Sequence, residues 1–240
     1  VFVTTPASLL AILMDGKVAL WILITVIFIY YFLSTILPID KIIGRLYPYF
    51  GAVLLIGTVG VGGALLFSDY TIPELSLTNM HPDNVPIFPI LFFTITCGAL
   101  SGFHATQSPI ISRTVEKESQ GRYVFYGMMM TEAVIAMFWA AAAMSMLDGQ
   151  TLSEFIATGT PSAVVNEVSM TLLGAIGGTI AVLGAVVLPI TSGDTAFRAA
   201  RSIIADYLKI DQKKVAKRLM IAVPLFAISA MLTQIDFNIL

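Results

Sequence analysis

The sequence predicts an all-α integral membrane protein with several spans, and three observations carry that prediction. The chain of 240 residues is 57% hydrophobic and only 12% charged, about half the charged share of a soluble domain, and its mean hydropathy is +0.89. Its apolar residues gather into runs close to the roughly 20 residues that a helix needs to cross a bilayer. Its Lys and Arg residues collect in alternate connections between those runs, as they do when cytoplasmic loops retain positive charge. The net charge of −2 adds little, because topology depends on where the cations lie.

Six segments are expected to span, at about Val18–Leu37, Phe50–Phe67, Ile87–His104, Tyr123–Leu147, Met170–Ile190 and Leu219–Leu232. The Val1–Leu13 stretch is apolar but short, either the tail of an earlier helix or a re-entrant piece. The first connection carries Lys41 and Arg45, and the third carries Arg113, Lys117 and Arg122. The fifth carries Arg198, Arg201, Lys209, Lys213, Lys214, Lys217 and Arg218. The second and fourth hold Asp69, Glu74, Asp83, Asp148, Glu154 and Glu167 and no cation. Odd connections are therefore expected in the cytoplasm, and even ones and the N-terminal end outside, with Lys17 as the exception.

Residues 194–217 are too polar to span. Ala196, Ala199, Ala200, Ile203, Ile204, Tyr207 and Leu208 recur there at helical spacing. The stretch is either an amphipathic helix with its basic face on anionic headgroups or a simple cytoplasmic connector. Glycines stripe the second span (Gly51, Gly57, Gly60, Gly62, Gly63) and the fifth (Gly174, Gly177, Gly178, Gly184). Such residues let helices approach closely in lipid, and paired glycines can also loosen a helix. The lone Cys97 cannot form an internal disulfide and reads as a small core hydrophobe. No basic start precedes Val1–Pro6, so no cleavable signal peptide is visible. Without an initiator Met, the chain reads as an interior or C-terminal piece of something longer.

Three places bear polar groups where lipid would exclude them. Ser101-Gly102-Phe103-His104-Ala105-Thr106-Gln107-Ser108-Pro109 follows directly on an apolar run. Non-helical backbone at membrane depth survives only where protein covers it or it lines a cavity. His104, flanked by Ser101, Gly102, Thr106, Gln107 and Ser108, suits proton exchange near neutral pH, or else caps a helix end in cytoplasmic water. Glu132 lies about ten residues into the fourth span, where a charge costs at least roughly 2.5–3.5 kcal/mol on insertion scales. It is expected to carry a proton, or to make a structural hydrogen bond to a neighbouring helix. Pro189-Ile190-Thr191-Ser192-Gly193-Asp194-Thr195 closes the fifth span, and its Pro and Gly are expected to interrupt the helix. Thr191, Ser192 and Asp194 offer oxygen ligands to a hard cation such as Na⁺, although Ser192 or Asp194 also suits an N-cap of a following surface helix.

Other patterns are bland. Met128, Met129 and Met130 occupy three faces of a helix and read as packing. His81 with Asp83 makes no metal cage, and no Cys/His cluster has ligand spacing. No G-x-S-x-G nucleophile motif is present. The cations sit at expected cytoplasmic membrane edges, which argues for topology and against nucleic acid. No catalytic residue, metal site or enzyme activity is expected.

Ser101–Pro109 resembles a signature of the carbon starvation protein A family. So does the run from Leu188 to Arg201, followed by Ile203, Ile204, Ala205 and Asp206; the stretch from Arg122 and Tyr123 to Glu132 fits the same pattern. The resemblance extends over roughly Val3 to Ile221. It implies a multi-pass protein of the bacterial or archaeal inner membrane, described in the family as a peptide transporter or a pyruvate/H⁺ symporter and linked to nutrient limitation. It also implies a distant relation to amino acid–polyamine–organocation transporters, built from two inverted five-helix repeats with sites near broken helices. Family proteins are about twice this length or more and carry a His-rich motif in their N-terminal half that is absent here. The chain would then be the later portion, holding part of the substrate site, with the inverted partner in the missing half.

The expected function is secondary active transport of a peptide or small carboxylate, driven by an H⁺ or Na⁺ gradient, during nutrient starvation. In that reading Ser101–Ser108 line the pathway, His104 and Glu132 relay protons, and Thr191 and Ser192 are ion or substrate ligands. The expected partners are the substrate, membrane lipids, and the missing N-terminal portion or a same-family chain; no cofactor beyond a coupling ion is implied. The alternative is a membrane nutrient sensor or structural subunit that transports nothing itself.

Overall fold

In lipid an apolar segment can satisfy its own backbone only as a helix or within a closed barrel, and this chain uses helices. The computed structural model describes residues 2–36, 40–74, 86–89, 91–92, 108, 111–147, 155 and 161–233, and no strand occurs among them. The principal elements are α1 (Thr4–Leu13), α2 (Leu20–Ile36), α3 (Asp40–Leu66), α4 (Glu118–Met146), α5 (Pro161–Tyr207) and α6 (Val215–Leu232). Within α4 a single α-turn, Glu118–Gly121, widens into a π-helical turn at Arg122–Gly127 before regular helix resumes at Met128. Pro48–Leu66 of α3, together with α4, α5 and α6, are long and apolar enough to cross a membrane, while α1 and α2 are shorter apolar helices. The protein is a multi-pass membrane protein. Most of the expected third span, including Cys97, lies outside the described residues.

The helix break of this region does not fall where the sequence suggests. The expected interruption at Pro189–Asp194 is corrected: α5 stays helical there and departs from helical geometry at Gly174, with φ 67° and ψ −175°. The Pro ring fits helical φ and removes one backbone donor. The hydroxyls that follow stay on the backbone, Thr191 Oγ1 donating to the Leu188 carbonyl at 2.9 Å and Thr195 Oγ1 to the Thr191 carbonyl at 3.0 Å. Gly174 adopts a left-handed φ that side chains disfavour. The chain turns so sharply there that a Cβ on Gly178 would fall 2.8 Å from both the Met170 Cα and the Ser169 carbonyl.

Residues 194–207, expected to open a polar connector, continue α5. The helix closes with Lys209 at φ 53°. The Ile210 N–H bonds the Ala205 carbonyl at 2.8 Å and the Lys209 N–H bonds the Asp206 carbonyl at 3.1 Å, a Schellman closure that satisfies the final carbonyls.

The described residues divide into two compact units, one from Val1–Gly51 and Val186–Leu240, the other from Ala52–Ala185. In the second unit Val61, Leu65, Ala142, Leu147, Val164, Val168 and Ala181 form a buried cluster. The glycine stripe works there as a packing surface. A Cβ on Gly57 would meet the Ala181 Cα at 2.8 Å, and one on Gly184 would meet the Leu54 Cα at 2.9 Å, so α3 and α5 touch backbone to backbone. Trp139 Nε1 donates to Thr58 Oγ1 at 3.1 Å, tying α4 to α3. In the first unit Val3, Ala7, Ile27, Tyr31, Ala222 and Phe226 are buried together, with Phe28, Ile190 and Phe197 packed against them. This core gathers α1, α2, α6 and the later half of α5, and Phe197 stacks on Phe226 with centroids 4.3 Å apart.

Candidate functional site

The aromatic core of the first unit carries a buried acid on its edge. Asp194 is fully buried, in mid-helix, beside the last turns of α2. Ser34 Oγ donates to Asp194 Oδ1. Arg198 Nη2 donates to Asp194 Oδ2 at 2.9 Å and lies 3.4 Å from Ser34 Oγ. Arg198 stands one helical turn after the acid, the spacing at which opposite charges meet on one helix face. Both carboxylate oxygens therefore have donors. Desolvating a carboxylate costs several kcal/mol, and the arginine and the serine offset part of that cost. Asp194 is thus no N-cap: no helix begins at it, and its side chain reaches across to α2.

Tyr31 closes the other side. Its hydroxyl donates to the Phe2 carbonyl at 2.7 Å, with the Pro189 carbonyl as a second acceptor at 3.2 Å. Its ring lies 5.3 Å from that of Phe197, centroid to centroid. A Cβ on Gly193 would collide with the Tyr31 ring and hydroxyl, so glycine at 193 is what lets α2 seat against α5. The result is a dry, aromatic-walled acid with one arginine and one serine holding it. Chemically it holds an acid out of solvent with an arginine as its ion-pair partner.

The remaining expected residues are dispersed. Thr191 and Ser192 are half-buried beside Asp194, and the Thr191 hydroxyl is already committed to its own helix backbone. Ser108 is half-buried and helical. Glu132 is exposed on α4, in the unit that does not contain Asp194. Ser101, Gly102, His104, Thr106 and Gln107 lie outside the described residues. Sequence reasoning missed Tyr31 and Ser34, which sit inside an apolar run with no motif to mark them. It counted Arg198 as a topology charge, although its spacing from Asp194 was a legible signal.

Comparison with known proteins places the chain. The sequence profile of the carbon starvation protein CstA family matches residues 4–170, well over half of it. The chain belongs to this family. The matched residues include Ser101–Pro109 and leave Asp194 and the Leu188–Arg201 motif beyond their end. An uncharacterized membrane protein of Haemophilus influenzae is 44% identical over 162 residues, covering 59% of this CstA-family chain and 43% of that protein. The peptide transporter CstA of Mycobacterium tuberculosis is 36% identical over 132 residues, covering 50% of this chain and 17% of the transporter. The pyruvate/proton symporter BtsT of Escherichia coli is 31% identical over 121 residues, covering 48% and 17% respectively. The chain thus spans less than half the length of the first relative and a small part of the two transporters. No solved structure matches it.

Proposed function

We propose that this chain is part of a secondary active transporter of the inner membrane that moves a small carboxylate or short peptide, driven by an H⁺ or Na⁺ gradient, in the response to nutrient starvation. The observation that carries the reading is the buried Asp194, held by Ser34 and Arg198 within a membrane protein. Buried ionisable groups in such proteins mark ion and substrate paths. The named relatives, a peptide transporter and a pyruvate/proton symporter, support the same class. In this reading Asp194 exchanges Arg198 for a proton or cation during the cycle, with Thr191 and Ser192 beside it. Ser101–Ser108, His104 and Glu132 are pathway residues in this reading on the strength of their sequence alone.

The test is uptake of labelled pyruvate and of a labelled dipeptide into vesicles holding the full-length protein, with and without an imposed pH or sodium gradient. The expected result is gradient-driven accumulation of one solute, lost in Asp194→Asn at unchanged expression. Accumulation by that variant equal to wild type would remove Asp194 from the mechanism. No uptake of either solute by folded protein would overturn the substrate assignment.

A further inference from the structure

Beyond Asp194, the same unit buries an arginine, Arg201, that meets no carboxylate among the described residues. Arg201 is only 7% exposed. It makes one hydrogen bond among the described residues, from Nη1 to the neutral Gln212 Oε1 at 2.5 Å, and its Nε is buried without a partner. Arg218 donates from Nε to the Gln212 carbonyl at 2.6 Å and from Nη1 to the Ile36 carbonyl at 2.9 Å, capping the end of α2. Gln212 therefore joins two guanidiniums, and neither meets a carboxylate among the described residues; the ion pair nearby joins Asp194 to Arg198. In the same last turn of α2, Thr35 is 2% exposed and its Oγ1 has no hydrogen-bond partner. Buried charge without a counter-ion is strongly disfavoured. An anion accepting from the guanidiniums would supply the partner that Arg201 lacks among the described residues.

We propose that Arg201 and Arg218 hold the phosphate of an anionic glycerophospholipid where α5, α6 and the end of α2 meet. Guanidinium forks match the oxygens of a phosphate. The surroundings are graded as a lipid is graded. Lys209, Lys213, Lys214 and Lys217 are exposed on the turn and at the start of α6, outnumbering the exposed Asp206 and Asp211 beside them. Met220 and Val223, further along that helix, are exposed apolar side chains at 57% and 51%. Basic pockets between membrane helices at the cytoplasmic side recognise lipid headgroups in this way.

The test measures lipid bound to the full-length protein by native mass spectrometry, after exchange into nanodiscs of equal phosphatidylglycerol and phosphatidylcholine. Wild type is expected to retain phosphatidylglycerol selectively, and Arg201→Gln to bind it at least about fivefold more weakly. Equal retention of the two lipids by wild type would overturn the proposal, and so would unchanged binding by the variant. Displacement of phosphatidylglycerol by millimolar inorganic phosphate would overturn the lipid assignment in favour of a soluble oxyanion. Should Arg201→Gln fail to fold, the wild-type selectivity and the phosphate competition decide alone.

Discussion

Asp194 is held by two donors that differ in kind. Arg198 shares its helix and supplies charge, while Ser34 comes from α2 and supplies a link between elements. Ser34→Ala removes a hydrogen bond to an ionised group and leaves a buried oxygen short of a donor, so it is expected to cost about 1.5–3 kcal/mol of stability. The measurement is thermal unfolding in detergent, with Thr191→Ala as the comparison. The Thr191 hydroxyl bonds only its own helical turn, so that change is expected to cost less than about 1 kcal/mol. Equal losses in the two variants would show that Ser34 does not carry the contact. Neither prediction depends on the proposed function.

At the scale of the element, α5 shows how a motif misleads. Proline, glycine and hydroxyls at 189–195 invite a break, but the Thr191 and Thr195 hydroxyls bond the backbone of their own helix and the proline costs one hydrogen bond. Gly174 has no such compensation, because its φ of 67° puts it where only glycine is at ease. Gly174→Ala is therefore expected to lose about 1–2 kcal/mol, and Gly178→Ala more, since its Cβ would press on backbone atoms of Ser169 and Met170. Gly63 faces open space, so Gly63→Ala is expected to be neutral or slightly stabilising. The same unfolding assay checks all three; a Gly63 loss as large as the others would mean that helix-wide effects, and not the corner, set these costs.

For the whole molecule, two separate cores and an uneven spread of cations must agree with one topology. The basic closure of α5 and start of α6 is expected in the cytoplasm. In a protein whose Cys97 is replaced, Lys213→Cys is expected to react with a membrane-impermeant maleimide only from the cytoplasmic side, and Asp69→Cys only from outside. The reverse pattern would invert the topology and move the Arg201 site to the outer leaflet. Glu132, exposed on α4, belongs to this scale too. A carboxylate facing hydrocarbon costs at least roughly 2.5–3.5 kcal/mol, so in the membrane it is expected to meet water or another part of the protein.

Class, membrane residence and family were legible in the linear order of residues. Hydropathy and cation spacing are properties of short windows, and lipid leaves an apolar window few choices besides a helix. The small-residue stripes were equally readable as packing, and Gly57 and Gly184 pack as such stripes do. The acid cluster was half legible: Asp194 and Arg198 lie one turn apart, but Ser34 and Tyr31 stand about 160 positions away in an apolar run. What brings them together is the fold of the first unit, in which Phe197, Phe226 and Tyr31 pack beside the buried carboxylate. The lack of a carboxylate partner for Arg201 among the described residues was invisible for the same reason. A cation count along the chain says which loops are basic, whereas burial and the identity of each neighbour say which of those cations needs an anion, and both arise only when distant segments pack.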